Sequence, residues 1–291
     1  MGAALELTGL GKRYRRSVLA WRRPRQTVLT GITRSLAAGE RVGLCGPNGS
    51  GKSTLMRVAA GIERPSEGQV RLFGEDPEAT RARKRIGFLP EGAALPGELS
   101  ARTALELFAS LHGFERATRK RRVLAMLERV GLSEARDKEL RLFSKGMLRR
   151  FGLAHAFLAD PDLVFLDEPT AGLDAEGHVV LAELLADARE RGAALLLASH
   201  HLEDVERHAE RLWVLLHGEI VADGPPRDVL ALAPDALDEA ESEWSVTGLS
   251  ASDRAAVEAE VTNRGGAMRR RGRADLGELY RRHERAREAG R

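Results

Sequence analysis

Apolar and polar positions change period several times along the chain, and each change marks an element. Period-two alternation over residues 5–8 and 28–35 predicts two strands of an antiparallel layer, joined by a basic segment, 15–26, that reads as a hairpin tip. A short apolar run, 41–45, ends in a glycine-rich turn, and residues 52–60 follow with helical spacing, giving strand, loop and helix in succession. Strands at 69–73 and 86–89 flank a charged helix at 80–84. From 101 to 159 the spacing is helical, with breaks near Gly113, Gly131 and Phe143, so an all-helical insert interrupts the sheet. Strand 163–166, helix 176–191 and strand 194–198 then resume the alternation, most simply as two parallel strands joined by a crossover helix. Residues 211–216 and 219–222, separated by His217 and Gly218, predict a hairpin. Past Pro225-Pro226 the pattern shortens: helix 227–232, a strand near Trp244, helix 251–263, a strand near Met268 and a helix from Ala274. These predict a small C-terminal α+β appendage. The fold class is α/β.

Composition narrows the setting. At 291 residues the chain has room for one large core and a small second one. With 43% hydrophobic and 31% charged residues and no stretch near eighteen consecutive apolar positions, it is expected to be a soluble protein that does not cross a membrane alone. Residues 1–10 lack a basic region followed by an apolar run, so no secretory signal is expected, and the cytoplasm is the expected compartment. The single cysteine, Cys45, forms no intrachain disulfide and reads as a small core residue closing a buried strand. Net charge is only +3, yet arginines cluster at 13–25, 119–122 and 269–271. These runs read as solvated faces, and 4% aromatic residues offer few stacking platforms, so no nucleic-acid partner is expected.

The chemistry is concentrated in two places. Gly46-Pro47-Asn48-Gly49-Ser50-Gly51-Lys52-Ser53 has the spacing GxxxxGK[ST] between a predicted strand and a predicted helix, the context that a phosphate-binding loop requires. Its glycines let backbone N–H groups turn toward phosphate oxygens, and the helix N-terminus adds a positive dipole end. Lys52 is expected at the β- and γ-phosphates and Ser53 on Mg²⁺, with Thr54 completing the candidate nucleotide-binding set. The second place is the apolar strand 163–166, which surfaces in Asp167 and Glu168. A carboxylate pair there suits metal-assisted hydrolysis, Asp167 holding Mg²⁺ and Glu168 orienting or deprotonating water.

Between these two lies Phe143-Ser144-Lys145-Gly146-Met147, followed by Leu148-Arg149-Arg150, and here the chain resembles the ABC ATPase family. The segment is similar to the signature loop LSGGQ; it departs at Phe143, Lys145 and Met147 and keeps Ser144 and Gly146, which the family turns toward the γ-phosphate. SKGM further resembles the branch of ABC exporters whose permeases are separate chains. The resemblance covers about residues 1–224 and implies a P-loop NTPase core with an antiparallel β layer and a helical subdomain at about 92–155, the appendage being 225–291. It also implies roles for single residues. Tyr14 falls where the family stacks an aromatic on adenine, and Glu91 where a metal-sensing glutamine is usual. Asp174, in Ala171-Gly172-Leu173-Asp174, matches the loop at the dimer seam, and His200 matches the switch histidine at the γ-phosphate. His201, Asp204 and His208 share a helix face but lack further ligands for a metal site.

The implied function is an ATP-binding, ATP-hydrolysing subunit with ATP and Mg²⁺ as its cofactors. Lys52, Glu168 and His200 are its catalytic residues, Ser53, Asp167 and Glu91 its metal residues. Two copies meet head to tail, each lending Ser144 and Gly146 to the other's nucleotide. The expected partner is a separate transmembrane permease, which would hold the chain on the inner face of the cell membrane. A soluble ABC ATPase acting on nucleic acid or ribosomes is the rival class, but the chain has neither long coiled coils between its motifs nor a second ABC unit. A small-molecule P-loop kinase would leave the 143–147 and 171–174 segments without a purpose.

Overall fold

The computed structural model describes residues 2–14, 26–92 and 95–231. The chain divides into two compact units, Met1–Val229 and Leu230–Arg291. The expected appendage elements after Ala231, and the segment 15–25, lie outside the described residues.

Nine strands form two sheets among the described residues. The first sheet has the order β2-β1-β4, from β1 (Ala3–Tyr14), β2 (Gln26–Ala37) and β4 (Glu67–Leu72), with β1 antiparallel to both neighbours. The second has the order β5-β6-β7-β3-β8-β9, from β3 (Arg41–Cys45), β5 (Ile86–Leu89), β6 (Leu163–Asp167), β7 (Ala194–Ser199), β8 (Arg211–Leu216) and β9 (Glu219–Gly224). All pairings in it are parallel except β8 with β9. Every residue of β3, β6 and β7 is buried, as expected of parallel strands covered on both faces, and this is why they read as unbroken apolar runs.

The main core lies between the antiparallel layer, helix α1 (Lys52–Ala59) and one face of the parallel sheet, where Leu5, Leu36, Met56, Phe165, Leu196 and Trp213 are buried together. Two longer helices, α5 (Lys145–Phe157) and α6 (Ala175–Glu190), pack against each other, and α5 also covers β5. Buried Arg41 donates to the carbonyl of His208 at 2.7 Å, placing a cation at the C-terminal end of helix α7 (Leu202–His208). Two short helices, α2 (Thr80–Arg83) and α8 (Pro226–Ala231), stand where the spacing predicted them.

The insert contains α3 (Ala101–Leu111), α4 (Arg116–Arg129), a 3₁₀ turn at Leu140–Leu142 and the start of α5. Ser100 caps α3 by accepting from the Thr103 N–H at 3.2 Å, and a bridge from Ser100 to Glu139 closes the insert at its base. Such a cap stabilises a helix by about 1 kcal/mol. Among the described residues no helix is long and apolar enough to cross a membrane.

His155, on α5, packs its ring 4.2 Å from that of Phe108. Burial, followed by the charge of His112, lowers its pKa from 6.5 to about 4. Between those two values the unfolded chain binds the extra proton and the folded chain does not, so stability falls as pH drops from 6.5 toward 4. The His155 share of that loss is about 3 kcal/mol. Urea midpoints measured from pH 7 to 4 are therefore expected to fall less steeply in His155→Leu than in the wild type; parallel slopes would exclude the effect.

Candidate functional site

Because β5, β6, β7, β3 and β8 run parallel, their C-terminal ends share one edge of the sheet, where open α/β folds bind ligands. In register, Cys45 lies opposite Ser199 and Asp167 opposite Ala198. The loop leaving β3 therefore sits beside the ends of β7 and β6, although the sequence separates these segments by more than a hundred residues.

The loop itself is tightly built. Gly51 precedes α1 with φ 110°, a conformation closed to other residues, and Gly46 lies so close to Ser50 that an added Cβ would stand 2.6 Å from its Oγ. Lys52 folds back to donate to the carbonyls of Gly46 at 2.7 Å and Pro47 at 3.3 Å, and its side chain is buried at 7% exposure. Ser50 Oγ is buried with no hydrogen-bond partner among the described residues. The Ser50 carbonyl accepts from the Gly218 N–H at 3.2 Å, which ties the loop to the β8–β9 turn.

Opposite the loop, Asp167 closes β6 at 1% exposure, with the Ser53 hydroxyl beside its carboxylate. Burial pushes the Asp167 carboxyl above its usual range; the Ser53 hydroxyl pulls against this, while Glu91 and Glu168 add to it. Asp167 Oδ1 is buried with no hydrogen-bond partner among the described residues, an unsatisfied anionic oxygen beside a hydroxyl, which is a hard-oxygen donor set that suits Mg²⁺. Glu168 follows at φ 49°, a left-handed conformation that is costly for a side chain of its size. Its carboxylate accepts from the His200 N–H at 3.0 Å and meets His200 Nδ1 at 2.9 Å, and Ser199 Oγ lies 3.4 Å away.

The remaining expected residues fall into separate groups. Ser144 caps α5, accepting from the Met147 N–H at 3.2 Å. A Cβ on Gly146 would stand 3.0 Å from Asp174 Oδ2, so this pair and the N-cap of α6 are neighbours. Arg150 bridges them, 3.6 Å from Asp174 and 2.9 Å from Glu176. Among the described residues no hydrogen bond joins Ser144 or Gly146 to the loop of residues 46–53. The Tyr14 hydroxyl bonds Glu63, and its ring lies 5.0 Å under the Lys12 ammonium. Asp204 accepts from Thr170 Oγ1 at 2.7 Å and meets Ser199 Oγ at 3.4 Å, so its carboxylate braces the 167–170 turn instead of facing His201 and His208.

A family model described as "ABC transporter" matches residues 29–171. Nod factor export ATP-binding protein I of Burkholderia orbicola (strain AU 1054) is 34% identical over 237 residues, covering 81% of this chain and 75% of that protein. The chain belongs to the ABC transporter family. An ABC transporter ATP-binding protein of Synechocystis sp. is 38% identical over 212 residues, covering 72% of this chain; the match spans 60% of that relative's length. A dimeric ATP-binding cassette solved in a post-hydrolysis state with ADP and Pi superimposes with TM-score 0.69 at 26% identity, over 77% of this chain and 99% of that one. The α/β fold with an antiparallel layer is thus that of the ABC ATP-binding cassettes.

Beyond the residues that the ABC motifs point to, the site holds one that no motif singles out. Arg149, at 8% exposure on α5, lies under the 167–169 turn. Two consecutive arginines inside the apolar helix 145–157 are the available signal, since a buried guanidinium must find acceptors.

Proposed function

We propose that this chain binds and hydrolyses ATP as the nucleotide-binding subunit of an ABC transporter whose membrane-spanning permease is a separate polypeptide, working in export. The observation that carries the reading is the meeting of the 46–53 loop with Asp167, Glu168 and His200 at one sheet edge. The loop's N–H groups and Lys52 hold the phosphates, and Tyr14 stacks on the adenine. Ser53, Asp167 and Glu91 hold Mg²⁺, which when bound neutralises charge on the β- and γ-phosphate oxygens. Glu168 draws a proton from the attacking water and is held on aim by His200. His200 meets Glu168 through Nδ1, which leaves Nε2 for a γ-phosphate oxygen.

A second copy completes each site. Ser144 and Gly146 point to the partner's nucleotide, and Asp174 lies at the seam. The dimeric cassette with 26% identity supports this arrangement, and the relative named for Nod factor export supports the direction. Removal of the γ-phosphate loosens the seam and drives the permease between conformations. Coupling runs through the insert at 92–155, and membrane attachment is through the permease.

The test is to purify the tagged chain from its native membranes in detergent. The expected result is Mg²⁺-dependent ATP hydrolysis and co-purification of a multi-spanning protein that crosslinks to residues 92–155. Recovery with ribosomes or DNA and without a membrane protein would favour the soluble class instead.

A further inference from the structure

The Arg149 guanidinium donates only to main-chain oxygens among the described residues. Nη1 reaches the carbonyls of Pro90 at 2.6 Å and Glu91 at 3.2 Å. Nη2 reaches those of Asp167 at 2.8 Å and of Glu168, and Nε reaches that of Pro169 at 3.4 Å. An arginine has five N–H donors, and here five carbonyls take them. These oxygens belong to residues where β5 and β6 leave the sheet, and those of the buried Asp167, Glu168 and Pro169 would otherwise have few partners. No ion pair to Arg149 occurs among the described residues; instead its charge is set against the nearby carboxylates of Asp167, Glu91 and Glu168.

Three consequences follow from this geometry. The left-handed turn at Glu168 is clamped from two sides, its carbonyls by Arg149 and its carboxylate by His200. The same guanidinium fixes the backbone of Glu91, so the two strand ends that carry the metal-facing and water-facing carboxylates share one anchor. That anchor rides on α5, the helix that Ser144 caps and whose first turn holds Gly146, about 7.5 and about 4.5 Å away along the axis.

We infer that Arg149 is a positioning residue for hydrolysis, holding the Glu168 and Glu91 backbones and carrying any displacement of the 144–146 end of α5 to those carboxylates. This rests on the reading of Glu168 as the group that activates water. A lysine keeps the charge but has three donors on a single nitrogen, and a methionine keeps the bulk with none. A shift of about 1 Å in a catalytic group costs about 10²-fold in rate.

The test measures steady-state ATP turnover and nucleotide affinity for Arg149→Met, Arg149→Lys, Glu168→Gln and the Arg149→Met/Glu168→Gln pair. The expected result is a kcat loss of about 10- to 100-fold in Arg149→Met with ATP affinity held within about threefold, and a smaller loss in Arg149→Lys. In the Glu168→Gln background, Arg149→Met should cost less than about threefold more, because its main effect runs through Glu168, already disabled, and only the Glu91 share is left. If Arg149→Met does not fold, the Lys variant decides: its kcat must fall while its affinity stays. Wild-type kcat in the folded variants, affinity falling in step with kcat, or losses that multiply in the double variant would each overturn the inference. Full turnover in Glu168→Gln would instead overturn the site reading beneath it, so the two failures are distinguishable.

Discussion

Glu168→Gln is expected to lower ATP turnover by about 10²- to 10⁴-fold while leaving nucleotide binding in place, the range lost when a positioned general base is removed. The substitution is nearly isosteric and keeps an oxygen to accept from the His200 N–H, now at 3.0 Å, so the left-handed turn at residue 168 should persist. What disappears is the basicity and the negative charge beside His200 Nδ1. With hydrolysis stalled and binding retained, ATP should hold two copies together, visible as an ATP-dependent dimer in size-exclusion chromatography that ADP does not produce. Full turnover in this variant would remove Glu168 from the role given to it.

Lys52→Ala is expected to weaken ATP binding by about 10²-fold, or about 3 kcal/mol, the scale of losing the charge-assisted hydrogen bonds of one buried ammonium. The ammonium is nearly buried and tied to the Gly46 and Pro47 carbonyls, so the variant also removes this donor from both oxygens, that of Pro47 keeping the Ser50 N–H at 3.2 Å. A fluorescent ATP analogue titrated into wild type and variant measures the effect, with a melting curve to confirm that the fold is intact. Affinity unchanged within a factor of two would mean that the loop does not hold phosphate as described. Turnover at saturating ATP should fall as well, since the same charge faces the oxygens on which negative charge accumulates.

Both residues are legible in the amino-acid sequence because their signals are local. Loop geometry at 46–53 depends on glycines within six residues of one another, and Asp167-Glu168 ends an apolar run whose burial both sheet faces enforce. Strand β3 matches its apolar run closely for the same reason, and β5 matches too, although at the sheet edge two of its four residues are only partly buried. The antiparallel layer is less legible: the alternation suggests 5–8 and 28–35, whereas β1 spans Ala3–Tyr14 and β2 spans Gln26–Ala37. Register shifts between Leu7 and Leu10, Leu10 and Lys12, and Lys12 and Arg13 break the period of two without ending the pairing, and a sequence pattern reads that break as an end.

Sequence by itself determined the α/β class, the helical insert, and where the glycine-rich loop and the Asp167-Glu168 pair of the proposed site stand, because each is encoded by spacing within a few turns of chain. Tertiary structure alone decided that β7 lies between β3 and β6 and so delivers His200 to Glu168 across 32 positions of chain. It likewise decided that Gly146 lies against Asp174, and that Arg149 gathers the carbonyls of two strand ends. The physical reason is common to all three. Strand order and helix docking are set by the burial of whole faces, and a buried donor takes whichever acceptors that packing brings within reach.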